Sequence, residues 1–273
     1  MSGIALFLAH AADPGAEATI VSVARSLGPD RVLVVRPEAL PFATWRHAVN
    51  SVGRASTSLR LAGAQDVAED SLGVVVNFMR GVPRTRLARA ARKDQEYAGA
   101  EMQSLLASWL MGLGDRVLNP TNVRAFTVGP GSTRGWLLFS AGHGLPVSSN
   151  ASGTPGRLLR PPGAREVVTT REPWPAGAAG PMPATLTANG DGLSTVFVAG
   201  DQAVGRLACL LGERCIAATR ASEARALAFH FVNADDCPQL VEVDSLPMVT
   251  NPEQAAALGV VVVSLANGLE VRP

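Results

Sequence analysis

Apolar and polar positions along the chain divide it into short strands and helices in a repeating order. Residues 3–9 (GIALFLA) form a continuous apolar run, ended by the turn-like Asp13-Pro14-Gly15. A helical stretch follows through residues 22–27 and is closed by Gly28-Pro29. Residues 31–36 (RVLVVR) read as a second strand, so the opening is strand–helix–strand and predicts a parallel sheet with a right-handed crossover. Residues 56–62 alternate polar and apolar, as a half-exposed strand does, whereas residues 73–79 (GVVVNFM) are apolar throughout, as a buried strand is. The first turn lacks the GxGxxG of a dinucleotide loop.

The longest helical pattern runs from about Thr85 to Leu113, with Ala98, Met102, Leu106, Trp109 and Leu113 as its apolar stripe. Tyr97 is expected to pack between this helix and the sheet, and Trp136 to lie in the core. Residues 117–120 (VLNP) give a short strand entering a proline turn, and residues 136–147 a helix with a Gly-Leu-Pro-Val exit. Gly129-Pro130-Gly131-Ser132 and the residues after it read as a flexible loop.

Residues 148–192 are rich in Ser, Gly, Pro and Ala and carry only short strand-like pieces, which makes them a natural boundary. Order returns with a strand at 194–199, a turn at Gly200-Asp201 and a return strand. Residues 221–229 are expected to be helical with Ser222 as N-cap, and 229–232 to pair with 239–244 as a hairpin. Asn251-Pro252-Glu253 opens a last helix. The predicted domains are therefore 1–147, an N-terminal α/β domain, and 193–273, a C-terminal α+β domain, with 148–192 as linker or eroded lobe.

Composition narrows the function classes. The chain has 273 residues, 47% apolar and 17% charged, which excludes wholesale disorder. Its net charge is +1, so nucleic-acid binding has no compositional support. No apolar run reaches a membrane span, the start lacks the basic leader of a signal peptide, and a cytoplasmic protein is expected. Cys209, Cys215 and Cys237 have no zinc spacing and are expected to be buried thiols; the four histidines form no HExxH. Lys93 is the only lysine among 24 basic residues.

The candidate chemistry lies in residues 241–247 (VEVDSLP). On a strand Glu242 and Asp244 share one face, leaving Val241 and Val243 for the core. Two adjacent carboxylates repel unless a cation lies between them, and oxygen donors with water suit Mg²⁺. The plain alternative is a solvated strand face. Arg80, at the end of a buried strand, either reaches a ligand anion or pairs with Asp94 or Glu101. An unrelated hydrolase or transferase is disfavoured by the missing GxSxG elbow.

The chain resembles the ATP-grasp ligases, in particular the branch that modifies ribosomally made peptides or tailors natural products. The resemblance rests on RVLVVRPEALP and VVVNFMRGVP, on DQEYAGAEMQSLLASWLMGL with VLNPTNVRAF and WLLFSAGHGLPV, and on STVFVAGDQAVG leading to LVEVDSLP. It implies an N-terminal parallel-sheet domain, as precedes the ATP-grasp unit in such ligases, followed by a reduced ATP-grasp-like α+β domain. It implies ATP and Mg²⁺ as cofactors, with Glu242 in the place of the family's metal-bridging glutamate and Asp244 where asparagine is usual. In such ligases a substrate carboxylate attacks the γ-phosphate, and an amine then displaces phosphate from the acyl phosphate.

The departures are specific. The family's phosphate-holding lysines are absent, because nothing after Lys93 is lysine. Arg124, Arg134, Arg157 and Arg160 are the candidate replacements, with a different donor geometry. The stretch between Pro146 and the VFVAGD strand is short for an adenine-covering lobe. The resemblance thus implies either a degenerate, non-catalytic binding protein or an active minimal ligase. Its implied partners are a precursor peptide or an active ligase of the same pathway, and a second copy in a homodimer.

Overall fold

A computed structural model of the chain describes residues 3–52, 55–61, 66–79, 89–121, 129–130, 132–147, 193–232, 237–246 and 248–269. Its first sheet has the strand order β2-β1-β6-β7 and is parallel throughout, built from β1 (Ile4–Leu8), β2 (Val32–Val35), β6 (Leu72–Asn77) and β7 (Val117–Leu118). Both faces of β1 and β6 are covered, which is why these strands are continuously apolar. Ala5, Phe7, Val74 and Val76 face α1 (Pro14–Leu27) and α5 (Pro252–Ala266). Leu6, Leu8 and Val75 face the C-terminal half of α2 (Arg92–Leu113) through Leu106, Trp109, Leu110 and Leu113. Beyond α2 lies a three-stranded antiparallel sheet, β3 (Thr44–Val49), β4 (Ala55–Arg60) and β5 (Asp66–Ala68).

The second sheet is antiparallel, ordered β11-β10-β8-β9, from β8 (Leu193–Ala199), β9 (Gln202–Val204), β10 (Ala226–Val232) and β11 (Gln239–Asp244). One face packs on α3 (Thr133–Gly142) and α4 (Ala208–Ala221) through Val196, Val198, Leu227, Phe229, Phe231, Leu240 and Val243. The other presents Phe197, Ala199, Ala226 and Ala228 to the core shared with α5 and the first sheet. The mixed α/β architecture expected from the strand–helix order is therefore observed.

Several local expectations change. Asp13-Pro14-Gly15 is not a free turn but the start of α1: the Asp13 carboxylate accepts hydrogen bonds from the backbone N–H of Gly15 and Ala16, and Pro14 occupies the first helical position. Ser132 likewise caps α3 by accepting from Gly135 N–H, so the helix begins within the glycine-rich stretch. The helix expected at 221–229 is displaced to Ala208–Ala221; Ser222 is its C-cap, and Ala226–Val232 is strand. The alternation of Leu227, Phe229 and Phe231 with Ala226, Ala228 and His230 has period two, and the pairing of β10 with β8 and β11 on both sides decides in favour of strand. Tyr97 is 69% exposed, because only the C-terminal half of α2 reaches the sheet. Of the thiols only Cys215 is buried; Cys209 and Cys237 are exposed. Trp136 is in the core. Arg80 lies outside the described residues, and Asp94 and Glu101 are on the exposed side of α2.

Candidate functional site

Glu242 and Asp244 sit on β11, at the edge of the second sheet. In the register Glu242 stands opposite His230 and Asp244 opposite Ala228, so all four share a face. His230 stands in turn opposite Thr195 of β8, whose hydroxyl lies 3.0 Å from His230 Nδ1. A polar row, Thr195, His230 and Glu242, thus crosses the sheet beside the apolar row Phe197, Ala228. Residues two apart on a strand are about 6.5 Å apart at Cα, a spacing from which two carboxylates on one face can reach a shared cation.

The bulge in β11 refines the sequence reading. Phe231 pairs with Leu240 while His230 pairs with Glu242, so Val241 is the extra residue. Leu240 and Val243 fill the core of α3 and α4, and Val241 stays half-buried. Val243 is core as expected; Leu240, not Val241, is its companion. Asp244 also closes the end of β11, its Oδ1 accepting a 3.0 Å hydrogen bond from Leu246 N–H.

Beyond Asp244 the chain meets the carboxyl ends of β6 and β7. Two asparagines there, from the VVVNFM and VLNP stretches, organise the junction. Asn119 donates from Nδ2 to the carbonyls of Ala226 and Ser245, and its Oδ1 accepts from Arg225 and Ala226 N–H. Asn77 is 5% exposed; its Oδ1 accepts from Met79 N–H at 3.0 Å, and its Nδ2 is buried with no protein acceptor. Asn77, Asn119, Asp13, Ser245 and Leu246 line a cavity of about 30 Å³. That is room for an ordered water, which would satisfy Asn77 Nδ2, and is far below the volume of a nucleotide. The sequence signal for both asparagines is an amide at the end of a buried apolar strand, VVVN and VLN, where a polar side chain must find buried partners.

Arg134 is exposed in the first turn of α3, which packs on the face of the second sheet carrying Val243. Glu242 and Asp244 alternate with Val243 and face the other way, so the fold does not bring Arg134 onto the carboxylate face. Arg124, Arg157 and Arg160 lie outside the described residues. Lys93 is exposed on α2, on the far side of the first sheet from α1 and α5. Among the described residues no group of three or more His, Cys, Asp or Glu side chains is placed to hold a metal ion. The pair Glu242 and Asp244 still fits a hard cation that takes its remaining ligands from water and phosphate. No helix among the described residues is long and apolar enough to cross a membrane.

No protein-family profile matches the chain, and no curated protein matches it by sequence. Solved structures match along its whole length. The RiPP-associated ATP-grasp ligase of Chryseobacterium gregarium, in complex with ADP and a leader and core peptide, aligns with a TM-score of 0.62 at 10% identity, over 100% of this chain and 98% of that one. The ATP-grasp ligase PsnB, complexed with a phosphomimetic variant of minimal precursor, Mg and ADP, aligns with 0.61 at 12% identity over 97% and 98%. The macrocyclase MdnC from Microcystis aeruginosa, bound with precursor peptide MdnA, aligns with 0.60 at 11% identity over 95% and 99%. With its parallel first sheet, its antiparallel second sheet and the acidic edge strand in sequence order, the chain has the fold of the ATP-grasp ligases.

Proposed function

We infer that this chain is an ATP-grasp-like protein, related to ATP-dependent carboxylate–amine ligases that act on peptides, and that it serves as a non-catalytic binding or partner subunit in peptide or natural-product modification. The observation that carries this reading is the loss of ammonium groups: the single lysine, Lys93, is exposed at the start of α2, and no lysine follows it. Phosphate held by a nucleotide site needs fixed cations facing the metal, and Arg134 lies on the opposite side of the second sheet from Glu242 and Asp244. The Chryseobacterium gregarium ligase is in complex with a leader and core peptide and MdnC with precursor peptide MdnA, which makes a precursor peptide the first partner to test here.

The test is nucleotide binding. Mg-ATP is expected to leave the Tm unchanged while a precursor peptide raises it. A clear rise with Mg-ATP that disappears in Glu242→Ala overturns this reading in favour of the alternative, an active minimal ligase. Glu242 and Asp244 on one strand face favour that alternative. In it they would hold Mg²⁺, with Arg124, Arg157 and Arg160 as the remaining candidate phosphate cations. The metal would neutralise charge on the transferred phosphoryl group. Release of ADP with a carboxylate peptide is its signature.

A further inference from the structure

The carboxyl ends of β1 and β6 form a second place where a small ligand can be held. β1 pairs with β2 on one side and with β6 on the other, so the strands that follow it in the chain lie on opposite sides of it. Open α/β sheets bind ligands in the crevice that such a reversal leaves beyond the strand ends. Here β1 leads to Asp13 and the start of α1, β6 ends on Asn77 and runs into Phe78, and Ser245 and Leu246 arrive from the end of β11. All five line the cavity of about 30 Å³.

Asn77 is the residue that points to a ligand. Its amide orientation is fixed, because Oδ1 accepts from Met79 N–H and the reversed amide would set an NH2 against that N–H. Nδ2 is therefore the end turned to the cavity, buried and with no protein acceptor. A buried donor left unpaired is costly, so the position calls for an incoming oxygen. Asn119 across the cavity has no bond to spare, since its amide makes four to the backbone. The Ala226 and Ser245 carbonyls that accept from it each keep a second lone pair at the same cavity.

Three properties then select the ligand. A donor and acceptors at one cavity match a group that carries both an oxygen and an N–H or O–H. The only ionisable residue lining the cavity is Asp13, with no cation among the described residues, which excludes an anion. A single water needs about 10–15 Å³ on the same measure, so the space takes two polar atoms and not one. A primary carboxamide is neutral, holds its oxygen and its NH2 side by side, and sets its flat carbon against the apolar walls Val76, Leu118 and Leu258. It displaces the ordered water and keeps that water's hydrogen bonds.

We propose that the crevice between the ends of β1 and β6 binds a primary carboxamide, whose oxygen accepts from Asn77 Nδ2 and whose NH2 donates to the Ala226 or Ser245 carbonyl. The inference goes beyond the reading of the chain as a partner subunit and stands whether or not it binds ATP or a peptide.

Titration of the full-length, ¹⁵N-labelled chain with acetamide, followed by two-dimensional NMR, tests it. Acetate has the same shape but is an anion, and ethanol offers a single oxygen. Acetamide is expected to shift the Asn77 side-chain NH2 resonances in a saturable way, together with the backbone amides of Phe78 and Leu246. Acetate and ethanol are expected to bind at least about tenfold more weakly. Asn77→Leu keeps the size of the side chain, removes the donor, and is expected to abolish the response of Phe78 and Leu246 to acetamide. Far-UV circular dichroism verifies that this variant is folded, and the comparison of the three probes on the wild-type protein needs no variant. No saturable shift with acetamide, acetate or ethanol binding as tightly as acetamide, or a folded Asn77→Leu that still responds overturns the proposal.

Discussion

Asn119, in the VLNP stretch, carries much of the junction between the two sheets. One amide makes four hydrogen bonds to backbone groups of Arg225, Ala226 and Ser245, tying the end of β7 to β10 and to the residue after β11. Replacing it by Ala leaves two buried N–H groups and two carbonyls without that partner. Asn119→Ala is expected to cost about 3–5 kcal/mol, read as a fall in urea midpoint. Cys215 differs from the other two thiols in a measurable way. Burial alone pushes it up to about 12 from 9.0. A raised folded-state value means the contribution is fully present below the unfolded value and is lost as pH rises through the folded one. Stability is therefore expected to decline between pH 9 and 12 in the wild type and to decline less in Cys215→Ala. Under native conditions near pH 8, alkylation is expected to label Cys209 and Cys237 and spare Cys215, as mass spectrometry would show.

At the level of elements, contact distance decides more than propensity. The first residues of α1 pass so close to the strand-like chain before α5 that a Cβ on Gly15 would lie 1.9 Å from the Val249 carbonyl oxygen. The obstacle is backbone, which cannot rotate away. Gly15→Ala, a favourable exchange in an isolated helix, is expected here to destabilise by about 3 kcal/mol, with a matching drop in Tm. Gly3 and Gly73 make the same kind of approach between β1 and β6, where a Cβ on Gly3 would lie 2.3 Å from the Gly73 nitrogen. These glycines are spacers between elements, which local sequence does not advertise.

Across the whole molecule, the two sheets are joined by a shared core and a buried cation. Phe197, Ala226 and Ala228 of the second sheet and Phe7, Val74 and Val76 of the first pack into one cluster with α5. Arg225 is buried at the seam; its guanidinium donates to the carbonyls of Asp115 and Val117. The Asp115 carboxylate is 3.7 Å away but almost fully exposed, so the carbonyl bonds matter more than the ion pair. Desolvation lowers the Arg225 value from its usual range, and Asp115 partly opposes that. Arg225→Ala uncouples those carbonyls and is expected to cost about 3 kcal/mol and to broaden the denaturant transition as the halves lose cooperativity.

Hydrophobic period alone identified β1, β2, β4, β6, β8, β11 and α5, and the order of strands and helices sufficed for the α/β class. Those features depend on residues within one element and its nearest neighbours, which a linear pattern records. It also marked Glu242 and Asp244 as sharing a face, since a strand alternates whatever surrounds it. The extension of the 229–232 strand back to Ala226, the bulge that makes Leu240 rather than Val241 a core residue, and the exposure of Tyr97 were decided by packing: each depends on which distant segment lies alongside. The same holds for the seam built by Asn119, Arg225 and Gly15, whose partners lie about a hundred or more residues away for the first two and over two hundred for the third. A hydrogen bond or a close approach between remote residues leaves no period in the sequence, so only the tertiary structure could place them.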